Sequence, residues 1–307
     1  MDPAKIEAML GSLRGGVSGL HSLLIVRHGY LVSETYFPGF GKDSPAELYS
    51  VTKSVISTLY GIAADKGKVE GPRLGLAQVL DFGTWPNPDP RKGMITAEDL
   101  LTMRSGLDWT EGNEAYAAFY RSPDQLAFVA GGRMRGNPGS AFNYDSGSVH
   151  LLSALLGMRT GMPAADFAKR ELFSPLGIRD FSWEKDRQGR SIGGWGLRMK
   201  PRDMAKLGYL MLKGGRWDGR QVVSASWVEK ATKVQVADTG SAEGLGYGYL
   251  WWLLPKVEGF AALGLDGQAI IVVPKKDLVV VVTASTPDHG HKEIFPLFYD
   301  YIVPAVQ

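Results

Sequence analysis

No cysteine occurs among the 307 residues, which excludes disulfides, thiolate catalysis and cysteine-ligated metal sites while leaving the compartment open. An excess of one charge is lacking too. The formal net charge is +2 and no Lys/Arg run is present, so no nucleic-acid surface is expected. Long apolar runs are missing: a run such as Leu278 to Val282 is strand-sized and far too short to span a bilayer. The opening residues Met1-Asp2-Pro3-Ala4-Lys5-Ile6 show no basic stretch followed by an apolar core, so no signal peptide is read there. The expected location is cytoplasmic, or periplasmic or secreted if a leader has been trimmed. The oligomeric state is left open.

Metal and cofactor signatures are equally scarce. The five histidines, His21, His28, His150, His289 and His291, form no H-E-x-x-H and read as surface or capping groups, so no metal is predicted. Gly244-Leu245-Gly246-Tyr247-Gly248 departs from the G-x-G-x-x-G fingerprint and leads into a strand rather than a helix. No cofactor is predicted.

What is present is an ordinary globular composition, 44% hydrophobic and 21% charged, in a chain long enough for roughly two domains or one large core. Residues Ala4 to Leu13 read as a short amphipathic helix. Ser22 to Arg27 and Leu31 to Tyr36 flank a turn at His28-Gly29 and read as a hairpin. A helix opening at Ser50 should end near Gly67. From about 70 to 235 helix signals dominate. Thr96 to Asp99 caps one helix, Ser122-Pro123 starts another with Pro at its first position, and further helices follow Tyr144-Asp145-Ser146 and Pro201-Arg202-Asp203. The Pro-rich segment 83–93 reads as loop. Strands are expected over Tyr247 to Leu254, Phe260 to Leu263, Ala269 to Val273 and Leu278 to Thr283, with Pro274 to Asp277 as a hairpin connection and Ile294 to Val303 as a closing helix. Hairpins at both ends point to an antiparallel sheet.

Ser50-Val51-Thr52-Lys53 breaks a local rule. A capping Ser is best followed three residues later by Glu or Gln, and a cation in the first turn opposes the helix dipole by about 0.3–1 kcal/mol when exposed. Such violations tend to mark functional sites. The spacing places hydroxyl and amine on one helix face. A Ser hydroxyl needs a base, and Lys can serve if burial lowers its pKa, while the helix N-terminus offers a backbone N–H to an oxyanion. On this short motif alone, an N-capping Ser beside a snorkelling Lys remains the alternative.

Rival motifs are weaker. Gly189-Arg190-Ser191-Ile192-Gly193 matches G-x-S-x-G, but polar residues precede it and glycines follow, so it reads as a loop rather than a nucleophile elbow. Phe142 to Gly147 offers Tyr144 at a helix entrance. Near Lys53, a Tyr of depressed pKa could relay the proton as base or acid. Taken alone, a packed aromatic is the better reading of Tyr144.

Ser50-Val51-Thr52-Lys53 followed by Tyr144-Asp145-Ser146 resembles the serine β-lactamase and penicillin-binding protein superfamily. The likeness is strongest to its class C branch, with the S-x-x-K esterases and 6-aminohexanoate-dimer hydrolases. Supporting stretches are Ile95 to Leu107, Trp195 to Ala205, Gly246 to Trp252 and Gly264 to Gln268. The resemblance implies an α+β fold, an antiparallel β-sheet flanked by helices with an inserted all-helical domain. Residues 1–69 and 236–307 would form the discontinuous sheet domain and 70–235 the mainly helical one, with the active site in the cleft between. It also implies acylation of Ser50, proton movement by Lys53 and Tyr144, and an oxyanion hole from the backbone of Ser50 and Leu265. Ser146, Trp195, Trp252 and Asp266 are the substrate-binding candidates.

Two departures bear on substrate. Ser146 stands where the family often has Asn, and Ala262-Leu263-Gly264 replaces Lys-Thr-Gly, with Leu265-Asp266-Gly267 as an alternative register. Neither register supplies a Lys for a β-lactam carboxylate. A charge-assisted contact of that kind is worth about 1.5–3 kcal/mol. The expectation is a serine hydrolase of small esters or linear amides. The alternatives are β-lactamase or D,D-peptidase activity, or a catalytically silent ligand-binding relative. Trp109, Tyr116, Phe119 and Tyr120 are further candidates to line an acyl or alcohol pocket, or equally to pack in the core.

Overall fold

The computed structural model describes residues 2–16, 19–286 and 294–306. His289 and His291 lie outside the described residues. In chain order the elements begin with α1 (Pro3–Gly16), β1 (Leu20–Arg27), β2 (Tyr30–Tyr36), β3 (Ala46–Glu47) and α2 (Val51–Asp65). There follow α3 (Ala97–Leu101), α4 (Asn113–Arg121), α5 (Gln125–Ala130), α6 (Ser146–Thr160), α7 (Ala164–Ala168), β4 (Phe181–Trp183), β5 (Leu197–Met199), α8 (Pro201–Leu212), β6 (Arg216–Trp217), β7 (Arg220–Gln221) and α9 (Ala225–Ala231). The chain closes with β8 (Gly246–Tyr247), β9 (Trp252–Leu254), β10 (Gly259–Gly264), β11 (Gln268–Val273), β12 (Leu278–Ala284) and α10 (Ile294–Pro296), which continues as helical turns to Ala305.

Seven strands form one sheet in the order β2-β1-β12-β11-β10-β9-β8, with antiparallel neighbours throughout. The apolar runs of β11 and β12 are buried along their whole length because both faces of the sheet are covered. Alternation sorts their side chains. Ile270, Val272, Val279 and Val281 pack with α2 and α8, whereas Ile271, Val280 and Val282 pack with Met9, Leu13, Phe295 and Phe298 of the terminal helices. The fold is thus α+β, with an antiparallel sheet between helical layers.

Several expectations shift by a few residues, each for a local reason. Asp124, not Ser122, caps α5: its carboxylate accepts the Leu126 and Ala127 N–H groups, so Pro123 stands before the helix. The segment read as one strand from Tyr247 to Leu254 is two strands, broken where Leu250 takes φ 59° and donates its N–H to the Leu101 carbonyl. The Pro-rich loop contains short turns at Phe82–Thr84 and Pro90–Met94, capped by Asp81 and Asp89. The inserted segment is not purely helical, since β4 to β7 lie within it, and α8 packs on the large sheet.

The fold then fixes the turn at Ser50. β3 pairs with β5, and Leu48 donates to the Leu197 carbonyl at 2.9 Å. Gly264, at the end of β10, presses on the same turn: a Cβ there would stand 2.3 Å from the Leu48 carbonyl oxygen. Tyr49 takes φ 45°, a left-handed conformation that costs a non-glycine residue about 1–2 kcal/mol, directly before Ser50. From that turn α2 runs into the core, buried from Val51 to Ala63.

Candidate active site

Ser50 occupies the N-cap position of α2, but its φ/ψ are helical and its side chain makes no capping bond. The hydroxyl faces Lys53 instead. The Lys53 amine lies 2.6 Å from Ser50 Oγ and donates to the Gly194 carbonyl at 2.8 Å. It also lies 4.8 Å from the centre of the Tyr144 ring. Lys53 is 1% exposed, and burial pulls its pKa down to about 8, with Glu111 and then Asp145 opposing that fall. The shift corresponds to about 3 kcal/mol against the charged form, and at pH 7 about one amine in ten is then neutral. An ordinary snorkelling Lys does not fit this geometry.

Tyr144 is brought to the pair as expected, in a different ionisation state from the one anticipated. Its ring is half-buried, yet the phenol is packed. Burial drives its pKa well above the usual phenol value, and the Ser50 hydrogen bond only partly offsets this. The depressed pKa expected from the neighbouring Lys is therefore corrected: burial dominates, and Glu111 and Tyr116 add to it. Trp252 stacks on Tyr144 with centroids 5.6 Å apart, and Tyr247 stands edge-on to both.

A second aromatic group gathers around Trp195, the neighbour of Gly194 in the chain. Trp195 donates from Nε1 to the Tyr120 hydroxyl at 2.7 Å and packs edge-on against Tyr116 and Phe119. Ser146 is fully buried at the first position of α6, and its backbone N–H donates to Glu111 at 2.6 Å. Asp266 turns towards the Tyr49 phenol rather than the Ser50–Lys53 pair, at φ 60° beyond β10. Leu265 is exposed at the same strand end, which Gly264 holds against the Ser50 turn. Among the described residues, no turn or cap hydrogen bond uses the backbone N–H of Ser50 or of Leu265.

Three contributors were not legible in the sequence. Glu111 gathers the Trp109 indole, the Tyr116 phenol and the Ser146 N–H. Gly194 supplies the carbonyl that receives Lys53. His150, read as a surface or capping group, is wholly buried in α6, 3.2 Å from Asp186, which also pairs with Arg190. A Gly-Gly pair before a Trp and an acid two residues after a Trp were the available signals, and neither is specific. The G-x-S-x-G match is a loop: Ser191 is buried, accepts the Ala165 N–H and shows no helix after it. Among the described residues, no group of three or more His, Asp or Glu is arranged to hold a metal ion.

The chain and its fold are similar to known proteins. The chain is 25% identical over 290 residues to the 6-aminohexanoate-dimer hydrolase of Paenarthrobacter ureafaciens, covering 87% of this chain and 73% of that one. Its fold matches EstCE1, a hydrolase with promiscuous acyltransferase activity, with a TM-score of 0.82 at 18% identity over 99% of this chain and 98% of that one. It also matches the octameric penicillin-binding protein homologue from Pyrococcus abyssi, with a TM-score of 0.75 at 18% identity over 99% and 78% of the two chains. Residues 6–295 match the family described as Beta-lactamase, and the chain belongs to that family.

Proposed function

We propose that the protein is a serine hydrolase of small esters or linear amides that works through a Ser50 acyl-enzyme. The observation that carries this reading is the 2.6 Å contact between Ser50 Oγ and the buried Lys53 amine. The neutral amine takes the hydroxyl proton as Oγ attacks the substrate carbonyl. The resulting oxyanion is received by the N–H groups of Ser50 and Leu265. Tyr144, protonated at rest, passes a proton from the Lys53 side to the leaving group. Water then cleaves the acyl-enzyme by the same steps in reverse order.

The substrate reading follows from what lines the site. Ala262, at the position of the missing Lys, packs in the core with α2, while Leu263 belongs to the opposite face of the sheet. Neither offers a cation to a substrate carboxylate. Trp195 and Trp252 belong to the two aromatic groups near Lys53, which suits apolar acyl or alcohol groups. The 6-aminohexanoate-dimer hydrolase among its relatives lends support to a linear amide.

The test is a side-by-side assay of a short-chain nitrophenyl ester, a linear amide dimer and a chromogenic cephalosporin, with fluorophosphonate labelling of Ser50. Ester or amide turnover should exceed cephalosporin turnover, vanish in Ser50→Ala and fall strongly in Lys53→Ala. Fast cephalosporin turnover would favour the β-lactamase reading. An unlabelled Ser50 would favour a silent binding relative.

A further inference from the structure

Glu111 stands beside the Ser50–Lys53–Tyr144 relay without belonging to it. Three donors converge on its carboxylate. Trp109 Nε1 reaches Oε1 at 2.9 Å, the Ser146 N–H reaches Oε1 at 2.6 Å, and the Tyr116 hydroxyl reaches Oε2. Only donors approach it, as suits an acceptor-only carboxylate. None of the ion pairs among the described residues involves Glu111. A half-buried carboxylate is thus held in place by neutral donors, with no cation in direct contact among the described residues. Geometry places it near Lys53: its carboxylate accepts the Ser146 N–H, Ser146 abuts Gly194, and the Gly194 carbonyl receives the Lys53 amine.

We propose that the Glu111 carboxylate is the counter-charge for the ammonium that forms on Lys53 when Ser50 is deprotonated. The proposal rests on the serine-hydrolase reading above. In the acylation step the Oγ–H bond breaks, an Nζ–H bond forms, and Oγ bonds to the carbonyl carbon as its π electrons move onto oxygen. A cation is thereby created where burial opposes it, and a fixed anion nearby lowers the barrier without itself accepting a proton.

The groups facing Lys53 are few. The N-cap of its own helix supplies Ser50, the approach to α6 supplies Tyr144 and Asp145, and the turn before β5 supplies the Gly194 carbonyl, while Glu111, in the loop before α4, stands behind Ser146. Only Asp145 and Glu111 are acids. Asp145 is occupied in capping α6: Ser148 donates through its N–H at 2.8 Å and through its hydroxyl, and Ser105 Oγ lies 3.2 Å away. Burial moreover pushes the Asp145 carboxyl up to about 6, against the Ser148 and Ser105 hydrogen bonds. Glu111 acts through Lys53 and is therefore a positioning residue.

The experiment measures kcat/KM and the fluorophosphonate labelling rate against pH for wild type, Glu111→Gln and Glu111→Asp, with thermal melts to establish folding. Below the Lys53 pKa the amine is protonated and cannot act as base, so activity falls on the acid side. Removing the negative charge should move that acid limb to lower pH by about one unit. The plateau above it should fall about tenfold, because the newly formed ammonium loses its counter-charge. Glu111→Asp, which keeps the charge, should hold the limb near its wild-type position. A purely structural role would lower rates without moving the limb. A Glu111→Gln limb coinciding with wild type, or a Glu111→Asp limb displaced as far as the Gln variant's, would overturn the proposal. If Glu111→Gln does not fold, the position of the Glu111→Asp limb decides alone. Turnover and labelling that survive Ser50→Ala would instead remove the serine reading, and this proposal with it.

Discussion

Gly194 lies directly against Ser146: a Cβ at 194 would stand 2.9 Å from the Ser146 Cβ and 2.9 Å from its carbonyl oxygen. Because the Gly194 carbonyl receives the Lys53 amine, this close approach locates one of the partners that hold the amine in place. Its neighbour Gly193 is tighter still, with a Cβ position 2.1 Å from the Val149 carbonyl oxygen.

Gly194→Ala should therefore push the 193–196 turn away from α6 and withdraw the acceptor from Lys53. Overpacking of this kind costs about 1–3 kcal/mol. We expect a modest drop in melting temperature and a larger loss of ester turnover. A variant with wild-type kcat and only a lowered Tm would show that the carbonyl has no part in placing the amine.

Tyr144→Phe tests the phenol as a proton relay. Loss of a positioned acid or base removes about 10²–10⁴ in rate, and the effect should fall on kcat rather than KM. Lys53 has a pKa of about 8 and Tyr144 is protonated at rest, so the wild-type acid limb should lie near pH 8 and persist in the Phe variant. Disappearance of that limb in Tyr144→Phe would transfer the role of base from the amine to the phenol.

Asp186 ties the loop after β4 to α6 through His150 and pairs with Arg190 within the same loop. Burial alone would raise its carboxyl, but the His150 and Arg190 contacts reverse the sign and hold it below the usual carboxylate range. A lowered folded pKa gives stability that is present above the unfolded value and lost as pH falls through the folded one. Asp186→Ala should cost about 3–5 kcal/mol, the scale for breaking a buried pair. The difference in stability from wild type should shrink under strongly acidic conditions. Denaturant melts at neutral and acid pH would check both, and a pH-independent difference would contradict the assignment.

Local patterns made much of this protein readable. The i,i+3 spacing of Ser50 and Lys53, the Thr96–Asp99 capping box, Pro201 at the first turn of α8 and the β11–β12 runs all depend on neighbours within a few residues. Helix and strand periodicity alone turns such spacings into shared faces. The break between β8 and β9 was not readable, because it depends on the Leu101 carbonyl drawing Leu250 out of line. Nor was the burial of His150, which rests on a partner 36 positions away.

The sequence by itself determined that a hydroxyl and an amine would share one turn of a helix, because backbone geometry leaves residues three apart no other arrangement. Only the tertiary structure decided what those groups are chemically. Gly194, 141 positions from Lys53, receives the amine, and Glu111, 35 positions before Ser146, brings the charge. Packing removes water from around the amine and so lowers its pKa towards the neutral range. Desolvation is a property of everything that surrounds a group, and no short stretch of chain encodes it.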